Sequence, residues 1–223
     1  MCGRFILSID IKTILALFRA GLQPGLVYKP RYNIAPGQDI LVITGTQDNR
    51  VARSMHWGLI PPWAKDKSIG YKMINARAEN IDSKPSFKHS FRHRRCLIPA
   101  NGFYEWRREG QIKQPLSITL PDKPLFAFAG VWDSWTSPEG EIILSCTIIT
   151  APASDQIQEV HHRMPVILSD ACEYNAWLDQ GHPAALKELL RPYSNELILQ
   201  RVSSRVNSPQ NEGPQLIEPV TKY

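Results

Sequence analysis

Residues 96–106 read CLIPANGFYEW. Their apolar, β-branched and aromatic side chains suit a pleated, half-buried surface, so the run predicts a strand over Cys96–Trp106. On its C-terminal side, EGQIKQ (109–114) and SPEGE (137–141) read as hairpin turns. They punctuate strands predicted over Pro115–Leu120, Leu125–Trp132 and Ile142–Thr150. On its N-terminal side, Ile40–Thr44 and Val51–Trp57 have the same character. A central sheet is therefore expected, with helices confined to the two ends of the chain.

The first helix is predicted within SIDIKTILALFRAG (8–21), where Ile11, Ile14, Leu15 and Phe18 recur at helical spacing. Ser8 or Asp10 caps it and Gly21 stops it. SDACEYNAWLDQG (169–181) is a second helix, with Ser169 or Asp170 as cap and Gly181 as stop. PAALKELLRP (183–192) is a third, and ELILQRVSSRVN (196–207) a last strand. No repeat or linker interrupts the chain. The expected architecture is α+β, a single domain over residues 2–223 with a β-barrel-like mixed sheet surrounded by helices.

A chain of 223 residues with 43% hydrophobic and 21% charged content is long and apolar enough to bury a core, which excludes low-complexity disorder. No run approaches the ~18 apolar residues of a membrane helix. Arg4 and Asp10 interrupt any signal-peptide core, so an intracellular protein is expected. Cys96 and Cys146 lie in apolar strand-like runs and Cys172 in a helical pattern. All three read as small buried hydrophobes. Without C-x-x-C spacing, neither a disulfide framework nor a metal site is expected, and no cofactor is implied. The net charge of +5 favours a polyanionic partner without requiring one.

Cys2 lies outside any apolar run. If the start methionine is trimmed, Cys2 carries an α-amine (reference pKa about 7.7–8.0) beside a thiol (about 8.5). Such a pair serves an N-terminal-nucleophile hydrolase, with the amine as base for the thiol. Alternatively it condenses with an aldehyde, the amine forming an imine and the thiol closing a five-membered thiazolidine. A third reading makes Cys2 incidental. Elsewhere, Asn75 and Arg77 share a face if their segment is extended. Glu105 lies between Tyr104 and Trp106. It has a raised pKa if those rings surround it, or faces solvent if the strand alternates. Of the adjacent His161 and His162, an extended segment directs at most one into a site. Trp57 and Trp63, with the basic run SFKHSFRHRR (86–95), interleave aromatic and cationic groups as single-stranded nucleic-acid readers do, although a basic run also suits a solvated helix face.

Eight stretches in order, MCGRF (1–5), RYNIAPGQ (31–38), WGLIPPWAKD (57–66), NARAE (75–79), CLIPANGFYEW (96–106), AGVWDSW (129–135), HHRMPVIL (161–168) and VNSPQNEGPQLIEPV (206–220), together resemble the SRAP family. These are the SOS-response-associated peptidases, which include abasic-site sensor proteins. The resemblance spans essentially the whole chain. It implies a protein that binds single-stranded DNA and links its N-terminal cysteine to an abasic site as a thiazolidine, with lyase-type activity and self-removal of Met1 within reach. Carried onto this sequence, it makes Cys2 the nucleophile and Asn75 the group that positions the amine or sugar. Glu105 becomes the acid/base and His161 the proton donor that opens the sugar. Arg4, Asn33, Arg77, Thr150 and Arg163 become backbone-lining DNA contacts, and Trp63 an aromatic wedge. It further implies a monomer in the bacterial cytoplasm, on the nucleoid when bound to DNA and away from membranes. A thiol peptidase or amidohydrolase acting in trans and a non-covalent single-stranded nucleic-acid-binding module are the alternatives.

Overall fold

A computed structural model describes residues 2–179 and 183–220. The first half of the chain holds β1 (Phe5–Leu7), α1 (Ile11–Phe18), β2 (Ala20–Leu22), β3 (Arg31–Ile34), β4 (Asp39–Thr44), β5 (Arg50–Trp57), β6 (Asn75–Arg77) and α2 (Lys88–His93). The central hairpins follow as β7 (Arg95–Ala100), β8 (Gly102–Glu109), β9 (Ile112–Thr119), β10 (Phe126–Thr136) and β11 (Ile142–Pro152). The last part holds α3 (Asp155–Gln158), β12 (Arg163–Pro165), β13 (Ile167–Leu168), α4 (Ala171–Leu178), α5 (Pro183–Glu188) and β14 (Ile198–Arg201).

Five strands close a barrel. β5, β4, β7, β10 and β11 pair antiparallel in that order, and β11 returns to β5 in parallel at Ser145↔His56 and Cys146↔Trp57. The barrel is therefore mixed, as expected. A second, antiparallel sheet in the order β14-β9-β8-β1-β3 lies beside it. The two share one core. Phe5 of β1 meets Trp57 and Phe128 edge-on at 5.2 and 5.8 Å, and Phe103 of β8 meets Phe128 at 6.0 Å. Edge-to-face pairs of this kind add about 0.5–1.5 kcal/mol each beyond their burial. No helix among the described residues is long and apolar enough to cross a membrane.

The single strand expected over Cys96–Trp106 is two. β7 belongs to the barrel and β8 to the second sheet, and the chain turns the corner at Asn101. There Asn101 N–H donates to the Ile6 carbonyl (3.0 Å), and its side chain accepts from Ser8 N–H (2.7 Å). The two hairpin turns form as expected, with Glu109↔Ile112 and Thr136↔Ile142 as their last ladder pairs.

Helix ends differ from expectation. Asp10 caps α1 through Thr13 N–H, but Arg19 ends the helix in the left-handed region (φ 50°). Gly21 instead extends into β2 beside Val51. Asp170 caps α4 through Glu173 N–H, and the helix stops at Leu178. The expected stop at Gly181 lies outside the described residues. Cys96 and Cys146 are buried in strands, but Cys172 is exposed, because it lies on the outer face of α4, away from the core residues Tyr174 and Trp177. The basic run turns partly inward. Arg95 is buried and donates to the carbonyls of Phe91, Arg92, Trp177 and Asp179, while Arg94 pairs with buried Asp133.

Candidate active site

Cys2 leads directly into β1, which pairs with β8 at Phe5↔Phe103. Tyr104 N–H continues that ladder to the Arg4 carbonyl (3.0 Å), drawing the N-terminal residues alongside the β8 segment that carries Glu105. From the barrel side, β6 lies parallel to β11 at Ile148↔Asn75. It presents Asn75 and exposed Arg77 on one face, with Ala76 buried on the other. The two sheets thus converge on the start of the chain.

The Cys2 side chain is fully buried. Burial pushes the thiol pKa far up, and the nearby Glu105 charge adds to the effect. Asn75 Nδ2 donates to the Cys2 carbonyl at 2.9 Å. Its Oδ1 is buried with no hydrogen-bond partner among the described residues. An orphaned acceptor costs about 1–3 kcal/mol, and this one belongs to a side chain already fixed on Cys2. Its geometry suits an N–H donor at the N-terminus.

Glu105 is buried on the face of β8 opposite Tyr104 and Trp106. Strand alternation holds, but the opposite face is interior and not solvent. Burial, and not the flanking rings, raises the Glu105 pKa to about 7, against the lowering pull of the amino-terminal charge. A carboxyl poised there exchanges a proton near neutrality. His161 follows α3 in a turn, and its ring stacks on His162 at 4.3 Å. Arg163 N–H donates to His161 Nδ1 (3.0 Å), and the Arg163 carbonyl lies 3.1 Å from the same atom. Burial lowers the His161 pKa, which favours neutral imidazole.

Glu105 and His161 line one cleft of about 430 Å³, completed by Trp106, Lys113 and Asn207. His162 is exposed and absent from that lining. A larger cavity of about 720 Å³, with Asp39, His56, Tyr71 and Ile142 among its walls, contains none of these groups. The chemistry therefore points to the smaller one. Asn207, whose side-chain oxygen accepts from Trp106 Nε1 (2.7 Å), lies in the C-terminal motif, so its signal was present in the sequence. Lys113 lies in no motif.

The residues expected to line DNA divide by exposure. Trp63 (58% exposed) and Arg77 face solvent. Arg4, Asn33, Thr150 and Arg163 are buried and bonded within the protein. Arg4 donates to Asn33 Oδ1 and to the Val206 carbonyl, both at 2.6 Å. Arg163 forks onto Glu79 (2.7 and 2.9 Å) and donates to Thr150 Oγ1 (3.2 Å).

The family model for SOS response associated peptidase (SRAP) matches residues 1–209. This chain belongs to the SRAP family. It is 46% identical over 223 residues to Abasic site processing protein YoqW of Bacillus subtilis, covering 98% of this chain and 99% of that one. It is 32% identical to Abasic site processing protein HMCES of Gallus gallus, covering 86% of this chain and 67% of that one. A crystal structure of a protein from Bacteroides thetaiotaomicron superposes with a TM-score of 0.88 at 27% identity, covering 99% of this SRAP chain and 100% of that one.

Proposed function

We propose that this SRAP protein captures abasic sites in single-stranded DNA by joining Cys2 to the ring-opened sugar. The observation that carries the reading is that Asn75 is bonded to the Cys2 carbonyl while Glu105, whose charge acts on the Cys2 thiol, lines one cleft with His161. The Cys2 α-amine, accepted by Asn75 Oδ1, adds to the C1′ aldehyde. Glu105 protonates the carbinolamine hydroxyl, which leaves as water, and the nitrogen's proton returns to the Glu105 carboxylate to give an imine. The Cys2 sulfur then bonds to the imine carbon while the thiol proton passes to nitrogen, closing a thiazolidine with net loss of one water. A thiol kept protonated by burial suits this order, amine first and sulfur second. His161 supplies the proton to the sugar ring oxygen as the C1′–O bond opens, and the proton released by the anomeric hydroxyl returns to the imidazole ring, which ends neutral as it began.

Met1 must be gone before this chemistry begins. Self-removal by the Cys2 thiol, and lyase-type release of the strand, belong to the same groups. Trp63 and Arg77 meet the strand directly, while Arg4, Asn33, Thr150 and Arg163 hold the backbone that frames it. The protein works as one unit over residues 2–223, as a monomer in the bacterial cytoplasm.

Incubation with an abasic oligonucleotide tests the reading. A denaturation-resistant adduct is expected with wild type and none with Cys2→Ala or with one extra residue preceding Cys2. An adduct undiminished in either variant overturns it. Unaltered DNA binding with no adduct at all favours the non-covalent module. Turnover of an external peptide, abolished by Cys2→Ala, favours the peptidase.

A further inference from the structure

The β8–β9 hairpin carries a like-charged pair that the fold itself does not explain. Arg108 and Lys113 stand directly opposite one another in the antiparallel ladder, and both are exposed. Like charges at directly opposed positions work against sheet pairing. Among the described residues, no carboxylate is bonded to either cation. Glu109, next along the strand, is gripped by Arg201 at 2.6 and 3.0 Å. Glu105 is buried on the other face of β8.

Strand alternation and the ladder register put Trp106, Arg108 and Lys113 on one face. Lys113 and Trp106 also line the cleft that holds Glu105 and His161. The two cations therefore form an outward extension of that cleft, and their side chains are long enough to converge on one anionic chain.

We propose that Arg108 and Lys113 bind the phosphodiester backbone of the single strand flanking the abasic site, guiding it into the cleft. This rests on the reading that the cleft takes single-stranded DNA. An anionic polymer offsets the repulsion that the hairpin carries when empty, and contacts of this kind are independent of base. The hairpin thus sets how tightly the strand is held, while the chemistry stays with Cys2.

The test uses full-length wild type and the double variant Arg108→Gln/Lys113→Gln. The variant is expected to melt at or above the wild-type temperature, because the opposed charges are gone. Weakened binding then cannot be attributed to misfolding. Affinity for an undamaged oligothymidylate is measured by fluorescence anisotropy across a salt series. Two lost phosphate contacts reduce the slope of log affinity against log salt by about 1.4 for single strands and weaken binding about tenfold at low salt. Equal slopes and affinities for the two proteins overturn the proposal, whether or not an adduct forms. A wild type that binds the strand without forming an adduct overturns the covalent reading alone, and the slopes still decide this one. Failure of wild type to bind any single strand overturns both.

Discussion

Glu105 has the most to show at the scale of one residue. Its chain neighbours are aromatic, but its surroundings are set by strand alternation, which turns it away from both rings and into the interior. The resulting pKa of about 7, against an ordinary 4.5, has a consequence for stability. A carboxyl whose folded pKa exceeds its unfolded value binds a proton on folding, so stability falls as pH rises through the window between them, here about 4.5 to 7. Glu105→Gln keeps the side chain neutral throughout. The variant is expected to be more stable than wild type at pH 8, by up to about 3 kcal/mol at ~1.4 kcal/mol per unit. The gap should close towards pH 5, while adduct formation slows at every pH. Denaturant titrations at both pH values check this, and equal stabilities at pH 8 refute it. What was legible at this scale was residue type and pairing along one strand. Asn75 and Arg77 share a face because two-residue spacing in an extended chain demands it. The fates of Arg95 and Cys172 were not legible, since burial depends on which elements pack against them.

Several of the longer elements announce themselves through their side-chain pattern, and β4, β5 and β9–β11 lie close to where it puts them. Strands of two to four residues such as β1, β6, β12 and β13 contain too few residues for any period to show. They are held by neighbours distant in sequence. The corner at Asn101 was hidden for a related reason. Leu97, Ile98, Phe103 and Tyr104 are good strand formers on both sides of it, and what separates them is a change of sheet. Gly102 is the residue that the corner requires. A Cβ there meets Ile6 Cδ1 at 3.0 Å, Thr119 Cγ2 at 3.1 Å and the Ile118 carbonyl at 3.3 Å. Overpacking of this kind costs about 1–3 kcal/mol. Because Gly102 pairs with Ile6, the strain falls on the ladder that brings Cys2 to Glu105. Gly102→Ala is therefore expected both to lower stability and to slow adduct formation. Gly21→Ala, whose Cβ meets nothing nearer than 3.8 Å, should leave adduct formation unchanged. If the two variants cross-link at equal rates, the corner does not position Cys2.

Across the whole molecule, the proposed site draws on residues near 2, 75, 105, 161 and 207, and no local pattern contains that combination. The resemblance of eight ordered motifs named most of the participants, but not the contacts that hold them together. One of those contacts ties the two ends of the chain. Asn33, fully buried, accepts from Arg4 (2.6 Å) and donates to the carbonyls of Ser208 and Asn211 (2.9 Å each), with Val206 at 3.3 Å. Arg4 in turn holds the Val206 carbonyl (2.6 Å), and the segment so fastened carries Asn207 to the cleft. Asn33→Ala leaves a buried guanidinium and several carbonyls short of partners. At about 1–3 kcal/mol for each group left unsatisfied, the loss should concentrate in the C-terminal segment. The barrel strands make none of these bonds, so they should keep their protection. Hydrogen exchange is expected to show faster amide exchange over residues 204–212 with β10 and β11 unchanged, together with slower adduct formation through an intact Cys2. Uniform loss of protection would mean that Asn33 serves the core as a whole. Faster exchange in the segment with an unchanged cross-linking rate would mean that Asn207 lines the cleft without contributing to its chemistry.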